Sequence, residues 1–186
     1  MKRTALALYG PPASGKDTVT RALMQLSADY VPFERLKVGS GRSNGYRSTT
    51  LAEIERLRDR DLIVYENERY GNLYVVDQPA LDGLLDRGAI PIVHVRQIEG
   101  VHALKRYPAD WLAVLVWCSR QVAEERARAR GSKDVPARLA AWDETAGDLA
   151  RSRPDDFSLR IDTEQHSPVE AASRIHAQLL GLRERS

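Results

Sequence analysis

Cysteine is all but missing. Cys118 is the only one in 186 residues, which excludes a disulfide framework and any multi-cysteine zinc site. Histidine is also scarce: His94, His102, His166 and His176 have no spacing that makes a metal site and read as surface or core residues. There is no long hydrophobic run. The longest, Trp111 to Cys118, is too short to cross a bilayer. The apolar stretch after the basic N-terminus meets a turn at Gly10-Pro11 instead of a cleavage site. Charge of one sign is lacking, since 28 Lys+Arg against 26 Asp+Glu leave a net charge of +2, too small for a general nucleic-acid binder. These absences predict a soluble cytoplasmic protein with neither membrane nor nucleic acid as a partner, either monomer or homodimer. Lysine occurs only at positions 2, 16, 37, 105 and 133, so arginine carries most of the positive charge. Arginine suits bidentate phosphate recognition, although GC-rich coding gives the same bias.

What is present is an ordinary globular balance, 42% hydrophobic and 29% charged, in a length that suits one domain at roughly 150 residues per domain. Strand and helix signals alternate along the chain. Thr4–Tyr9 is a short apolar run closed by Gly10, as for a buried parallel strand. Val19, Leu23 and Leu26 place a helix over Thr18–Leu26, and Phe33–Val38 reads as a second strand. Thr50 and Glu53 form a capping box at the start of a helix reaching Asp59. Leu62–Glu68 and Leu73–Gln78 are strand-like runs around a turn at Tyr70-Gly71-Asn72, and Pro79–Arg87 is helical up to Gly88. Ala89–Val95 and Trp111–Ser119 read as strands, with Cys118 a small buried hydrophobe in the second. Helices follow over Gln121–Arg130 and Ala137–Ala150. Phe157, Leu159 and Ile161 alternate as in a strand, and a second capping box, Ser167 to Glu170 with Pro168 between, opens the last helix. No repeat or low-complexity tract interrupts the series. The alternation predicts an α/β fold with a mostly parallel sheet covered by helices on both faces.

The most specific segment is Gly10-Pro11-Pro12-Ala13-Ser14-Gly15-Lys16-Asp17-Thr18. It matches G-x-x-x-x-G-K between a strand and a helix, the context of a P-loop. Backbone N–H groups of such a loop turn toward phosphate oxygens, the helix N-terminus adds its positive end, and Lys16 reaches the outer phosphates. ATP with Mg²⁺ is therefore the expected cofactor. The position after the lysine, where Ser or Thr normally ligates Mg²⁺, holds Asp17, and the hydroxyl comes one residue later at Thr18. Asp17 either holds the cation or favours the helix start electrostatically.

On these residues the chain resembles the guanylate kinase family of P-loop nucleoside monophosphate kinases over nearly its whole length. Tyr46, the capped helix from Thr50, and Gly71-Asn72-Leu73-Tyr74 are similar to that family's acceptor-binding sub-domain. The resemblance implies that Tyr46 and Tyr74 contact an acceptor phosphate. Arg126-Ala127-Arg128-Ala129-Arg130-Gly131-Ser132, followed by Arg138, resembles the arginine-bearing lid. It implies Arg126, Arg130 and Arg138 as groups that close on the ATP and on the phosphoryl group in transit, with Arg128 turned elsewhere. A solvated basic helix face is the plainer reading of those arginines. Asp162, after the last strand, is similar in position to the adenine-contacting segment; Asp162 and Thr163 read equally as turn residues. The resemblance divides the chain into a P-loop core at about 1–30 and 76–186, an acceptor-binding sub-domain at about 31–75 and a lid at about 126–140.

The departures fall in the guanine-reading part. The family's glutamate falls on Tyr65, and the adjacent Glu66 points to the opposite face of a strand. The family's Asp-rich strand end is His94-Val95-Arg96-Gln97 here, and the arginine-rich acceptor loop is shortened to Arg42 and, more weakly, Arg47. Arg42, Tyr46, Tyr65, Tyr74 and Arg96 are thus the expected acceptor-binding residues, with Tyr65 either binding a base or filling a sub-domain core. A Gly-Lys-Asp loop also occurs in ribose 1,5-bisphosphate phosphokinases and in some phage deoxynucleotide kinases. The expected function is Mg·ATP-dependent phosphoryl transfer to a small phosphorylated acceptor, first a nucleoside monophosphate other than GMP. The alternatives are a sugar-phosphate kinase of the ribose 1,5-bisphosphate type and a catalytically silent binding module.

Overall fold

The computed structural model describes residues 3–41, 44–69, 71–132 and 134–185. Sixteen elements run in the order β1 (Thr4–Tyr9), α1 (Lys16–Leu26), β2 (Tyr30–Pro32), β3 (Arg35–Val38), β4 (Tyr46–Ser48), α2 (Leu51–Asp59), β5 (Ile63–Arg69), β6 (Asn72–Asp77), α3 (Gln78–Asp86), β7 (Ile90–Val95), α4 (Ile98–Arg106), β8 (Asp110–Trp117), α5 (Arg120–Ala129), α6 (Val135–Leu149), β9 (Leu159–Asp162) and α7 (Pro168–Arg185). Five strands form a parallel sheet in the order β2-β7-β1-β8-β9. Period-two alternation along β1 sorts its side chains between two cores. Leu6 and Leu8 join Val19, Leu23, Ile175 and Leu179 of α1 and α7, while Ala5, Ala7 and Tyr9 join Leu81, Leu85, Val101 and Leu104 of α3 and α4. Both faces are covered, which is why these strands read as continuous apolar runs.

A second sheet, β4-β3-β6-β5, is mixed: β3 and β4 are parallel, and β6 runs antiparallel to β3 and β5. Leu36, Leu73 and Val75 on one face pack against Ile54 and Leu57 of α2. Thr50 caps α2, its Oγ1 accepting from Glu53 N at 3.2 Å. The capping box at α7 is reciprocal: Ser167 Oγ accepts from Glu170 N at 3.3 Å, and a Glu170 carboxylate oxygen from Ser167 N at 2.8 Å.

Two expectations are corrected. The segment Phe33–Val38 is not the second strand of the main sheet; that strand is β2, and the chain then leaves through Phe33 to begin β3 in the other sheet. The helix after the phosphate loop opens at Lys16 rather than Thr18. The sequence reading has no counterpart for the short strands β2 and β4 or for the helix α4. Its N-cap, Gln97, makes no side-chain cap, and the carboxylate of Asp148, fifty residues on, accepts from Ile98 N at 2.7 Å instead. No helix among the described residues is long and apolar enough to cross a membrane.

Candidate active site

The carboxyl ends of β1, β7, β8 and β9 open on one edge of the main sheet, where the order of an open α/β sheet leaves a ligand crevice. β1 delivers the chain into Gly10, where a Cβ would stand 2.0 Å from Val116 O, so no side chain fits beneath the loop. Ala13 and Gly15 both have left-handed backbones, φ 61° and 100°, and curl the loop back so that Lys16 starts α1. Lys16 is buried, its Nζ donating to Gly10 O and Pro11 O at 2.7 Å each. Burial, reinforced by the positive charge of Arg96, pushes its pKa down to about 7 against the pull of Asp17. A ring of turned-in backbone around a desolvated cation fits phosphate oxygens, which satisfy an ammonium better than loop carbonyls do.

Asp17 and Thr18 follow in the first turn of α1. The Asp17 carboxylate is largely exposed and lies 3.5 Å from His94 Nδ1, and His94 Nε2 is 2.8 Å from Thr20 Oγ1. Their oxygens at the exit of the loop suit a hard cation such as Mg²⁺.

Arg126 reaches across from α5 to the outer side of the loop. It donates to Thr163 Oγ1 and Thr163 O, both at 2.8 Å, and to Ala13 O at 3.3 Å. Thr163 Oγ1 in turn lies 2.8 Å from Ser14 O. Beside this clamp is a cavity of about 150 Å³ lined by Thr18, Val19, Arg126, Arg130, Thr163 and His166 among others. Asp162 does not line it: its carboxylate accepts from Glu164 N at 2.9 Å and shapes the turn that presents Thr163. Arg138 is exposed on the first turn of α6, away from the loop contacts made by Arg126. Arg128 pairs with Glu124 at 2.6 Å on the other side of α5.

The second sheet supplies a different surface. Leu36 and Val38 of β3 face α2, so Arg35 and Lys37 face the opposite way. The Arg35 guanidinium lies 5.1 Å from the Tyr74 ring centroid and 5.8 Å from that of Tyr46, and the two rings are 5.2 Å apart. It also donates to Asn67 Oδ1 at 3.3 Å. Lys37 is buried beside them, its Nζ 2.5 Å from Ser40 O and 6.0 Å from the Tyr46 ring. Arg69, at the end of β5, pairs with Glu144 of α6 at 2.6 Å, and both Arg69 and Arg96 weigh electrostatically on Lys16.

Tyr46 and Tyr74 are therefore brought together, while Tyr65 stands apart. Its hydroxyl donates to Gln97 Oε1 at 2.6 Å, and its ring lies 2.9 Å from where a Cβ on Gly100 would be, so it braces the second sheet against α4. Burial pushes its pKa up to about 12. Glu66 turns the other way, onto Arg58 at 2.7 Å. Arg47 is taken up by Asp77, with its Nε donating to Glu34 O at 2.9 Å. Arg42 lies outside the described residues. Sequence reasoning missed Arg35, Lys37, Arg69 and the Thr20–His94 pair. The alternation of Arg35 and Lys37 with Leu36 and Val38 was the available signal for the first two.

No protein-family model matches the chain, and no curated protein does. Solved structures do. The chain is similar to the guanylate kinase from Anaplasma phagocytophilum, at 19% identity and a TM-score of 0.65 over 96% of this chain and 85% of that one. It is similar to a sugar kinase from Janibacter sp. HTCC2649, at 16% identity and a TM-score of 0.58 over 98% and 96%. A shikimate kinase from Acinetobacter baumannii follows at 17% identity and 0.50, over 97% and 94%. The chain has a guanylate kinase-like P-loop kinase fold. In this fold Lys16 and Arg126 both contact the Gly10–Gly15 loop.

Proposed function

We propose that the protein is an ATP-dependent phosphotransferase acting on a small phosphorylated acceptor. The observation that carries this reading is the buried Lys16, cradled by its own loop and influenced by Arg96 and Arg69, the latter from the second sheet. Phosphoryl transfer asks for positioning and for positive charge around the moving group. Lys16 and the loop from Gly10 through Pro11, Pro12, Ala13, Ser14 and Gly15 would hold the ATP phosphates, and Arg126 with the cavity at Thr163 would hold the base. Arg130 and Arg138 would close on the transferring group as part of a lid. Asp17 and Thr18 would hold Mg²⁺, whose chemistry is to neutralise phosphate charge. Arg96, Arg35, Lys37, Tyr46 and Tyr74 would hold the acceptor.

The first acceptor class is a nucleoside monophosphate other than GMP. A sugar phosphate is the second reading, favoured by Tyr65, whose ring lies against Gly100 with its hydroxyl on Gln97 and is not presented as a flat platform. An ADP-release screen with Mg·ATP against the common nucleoside monophosphates and phosphorylated pentoses tests both, with Lys16→Ala as control. Turnover with one of these acceptors, abolished by Lys16→Ala, is the expected result. Fast turnover of GMP overturns the specificity, and silence across the panel with ATP still bound favours a binding module.

A further inference from the structure

We propose that His94 is a positioning residue that, braced by Thr20, aims the Asp17 carboxylate at the mouth of the phosphate loop. The inference rests on the phosphotransferase reading and deepens it at one point, the source of the acidic oxygen beside the nucleotide.

The acids at and just past the end of β9 are engaged by backbone N–H groups, the Glu164 carboxylate by Ser119 N. The chain just past β1 is Gly10-Pro11, past β7 it is Arg96-Gln97, and past β8 it is Cys118-Ser119. β9 ends in Asp162, whose carboxylate is engaged by Glu164 N. Among the charged groups that weigh most on Lys16, Asp17 is the one carboxylate. An acid in the first turn of a helix has a simpler use, favouring the helix dipole. That use needs no partner, and a side chain 75% exposed would keep its rotamer freedom.

His94 supplies the partner. It stands near the end of β7, level with Leu8 of β1, so its ring is fixed by the central sheet rather than by a loop. Asp17 and Thr20 are three residues apart on α1 and so share a helix face. The ring touches both: Nε2 is 2.8 Å from Thr20 Oγ1, and Nδ1 is 3.5 Å from Asp17 Oδ1. A neutral imidazole has one N–H to give and one nitrogen to accept with. With the hydrogen on Nδ1, the ring would face it toward the Asp17 carboxylate, which only accepts, and Nε2 would accept from the Thr20 hydroxyl. The array Thr20–His94–Asp17 orients the carboxylate as an outer partner orients a ligand.

The readout is nucleotide binding, not turnover. Calorimetric titration of ATP into the full chain, in Mg²⁺ and again in EDTA, gives a ratio of two dissociation constants. The wild type is expected to bind more tightly with Mg²⁺, and Asp17→Asn to lose that gain. His94→Ala should cut the ratio by about 10-fold, the lower end for loss of a residue behind a metal ligand, with affinity in EDTA unchanged. His94→Asn, whose amide can still donate, should recover most of it, and thermal melting confirms that each variant is folded. His94→Ala with a wild-type ratio overturns the proposal, as does an equal loss in both buffers, which would make His94 a support for the loop alone. Wild-type protein that binds ATP equally well with and without Mg²⁺ also overturns it, leaving the phosphotransferase reading standing. Protein that binds no ATP in either buffer overturns both.

Discussion

Lys16 and Arg35 are both cations held close to the same crevice, but they are held by different kinds of partner. Lys16 is gripped by carbonyls of Gly10 and Pro11, six and five residues away in the chain. Arg35 rests on two tyrosine rings and on Asn67, brought in from β4, β6 and β5. The loop is therefore a backbone device within one short segment, indifferent to most side chains beyond the lysine and the glycines. The sheet face is a side-chain device assembled from four strands. A site for a common group, phosphate, is built the first way. In the proposed function the acceptor is held the second way, where specificity can drift while the loop stays the same.

Lys16→Ala should produce the largest effect, a fall in turnover of about 10³-fold, the upper range for removing one preorganised charge at a reacting centre. The fold should survive, since the loop keeps its glycines and the change removes a desolvated cation. Arg35→Ala should act on the other surface: the KM for the acceptor should rise roughly 10- to 100-fold, as for a charged hydrogen-bonding group of about 1.5–3 kcal/mol, with ATP affinity unchanged. Tyr74→Phe should cost less, about 2- to 10-fold in the same constant. If Arg35→Ala weakens ATP as much as acceptor, the division between the two surfaces is wrong.

The same contrast explains what was legible in the sequence. The phosphate loop is local, so nine consecutive residues between a strand and a helix were enough to place Lys16 and the turn. The two capping boxes at Thr50 and Ser167 were legible for the same reason. α4 was not, because its N-terminus is satisfied by Asp148 from α6 rather than by a residue beside it. Arg35 and Lys37 were passed over because a strand's two faces mean nothing until the sheet's apolar side is known, and that side is set by α2. Arg47, close by in sequence and the weaker candidate, is held by Asp77 at the start of α3. Asp162 shapes the turn, and Thr163 is the residue in it that reaches the loop.

The pH response sharpens the loop side further. Burial holds the Lys16 pKa down to about 7, against 10.5 for an ordinary lysine. Its folded value is depressed, so the stability it contributes is fully present above 10.5 and is lost as pH falls toward 7. Phosphate binding favours the charged form, so nucleotide affinity should run the other way. ATP binding should weaken as pH rises above 7, by up to about tenfold per unit, and should take up a proton at pH 8. Titrations in two buffers of different ionisation enthalpy measure that proton, and Lys16→Arg should remove it. Affinity that stays flat from pH 7 to 9 would contradict the burial assigned to Lys16.

The smallest effect separates the two regions most directly. Thr50 touches neither surface; its side chain caps α2, and α2 packs against the second sheet through Ile54 and Leu57. Thr50→Ala should cost about 1 kcal/mol of helix stability, which for a chain of this size lowers Tm by about 2–4 °C if the protein unfolds as one unit. A second sheet that opens on its own would respond differently, because the loss would fall on that opening alone. Hydrogen exchange then decides between them. Faster exchange confined to β3, β5 and β6, with β1 and β8 unchanged, means that the second sheet moves independently of the loop that holds Lys16. Uniform acceleration across both sheets means that the two surfaces, however differently built, are held in register by one cooperative core.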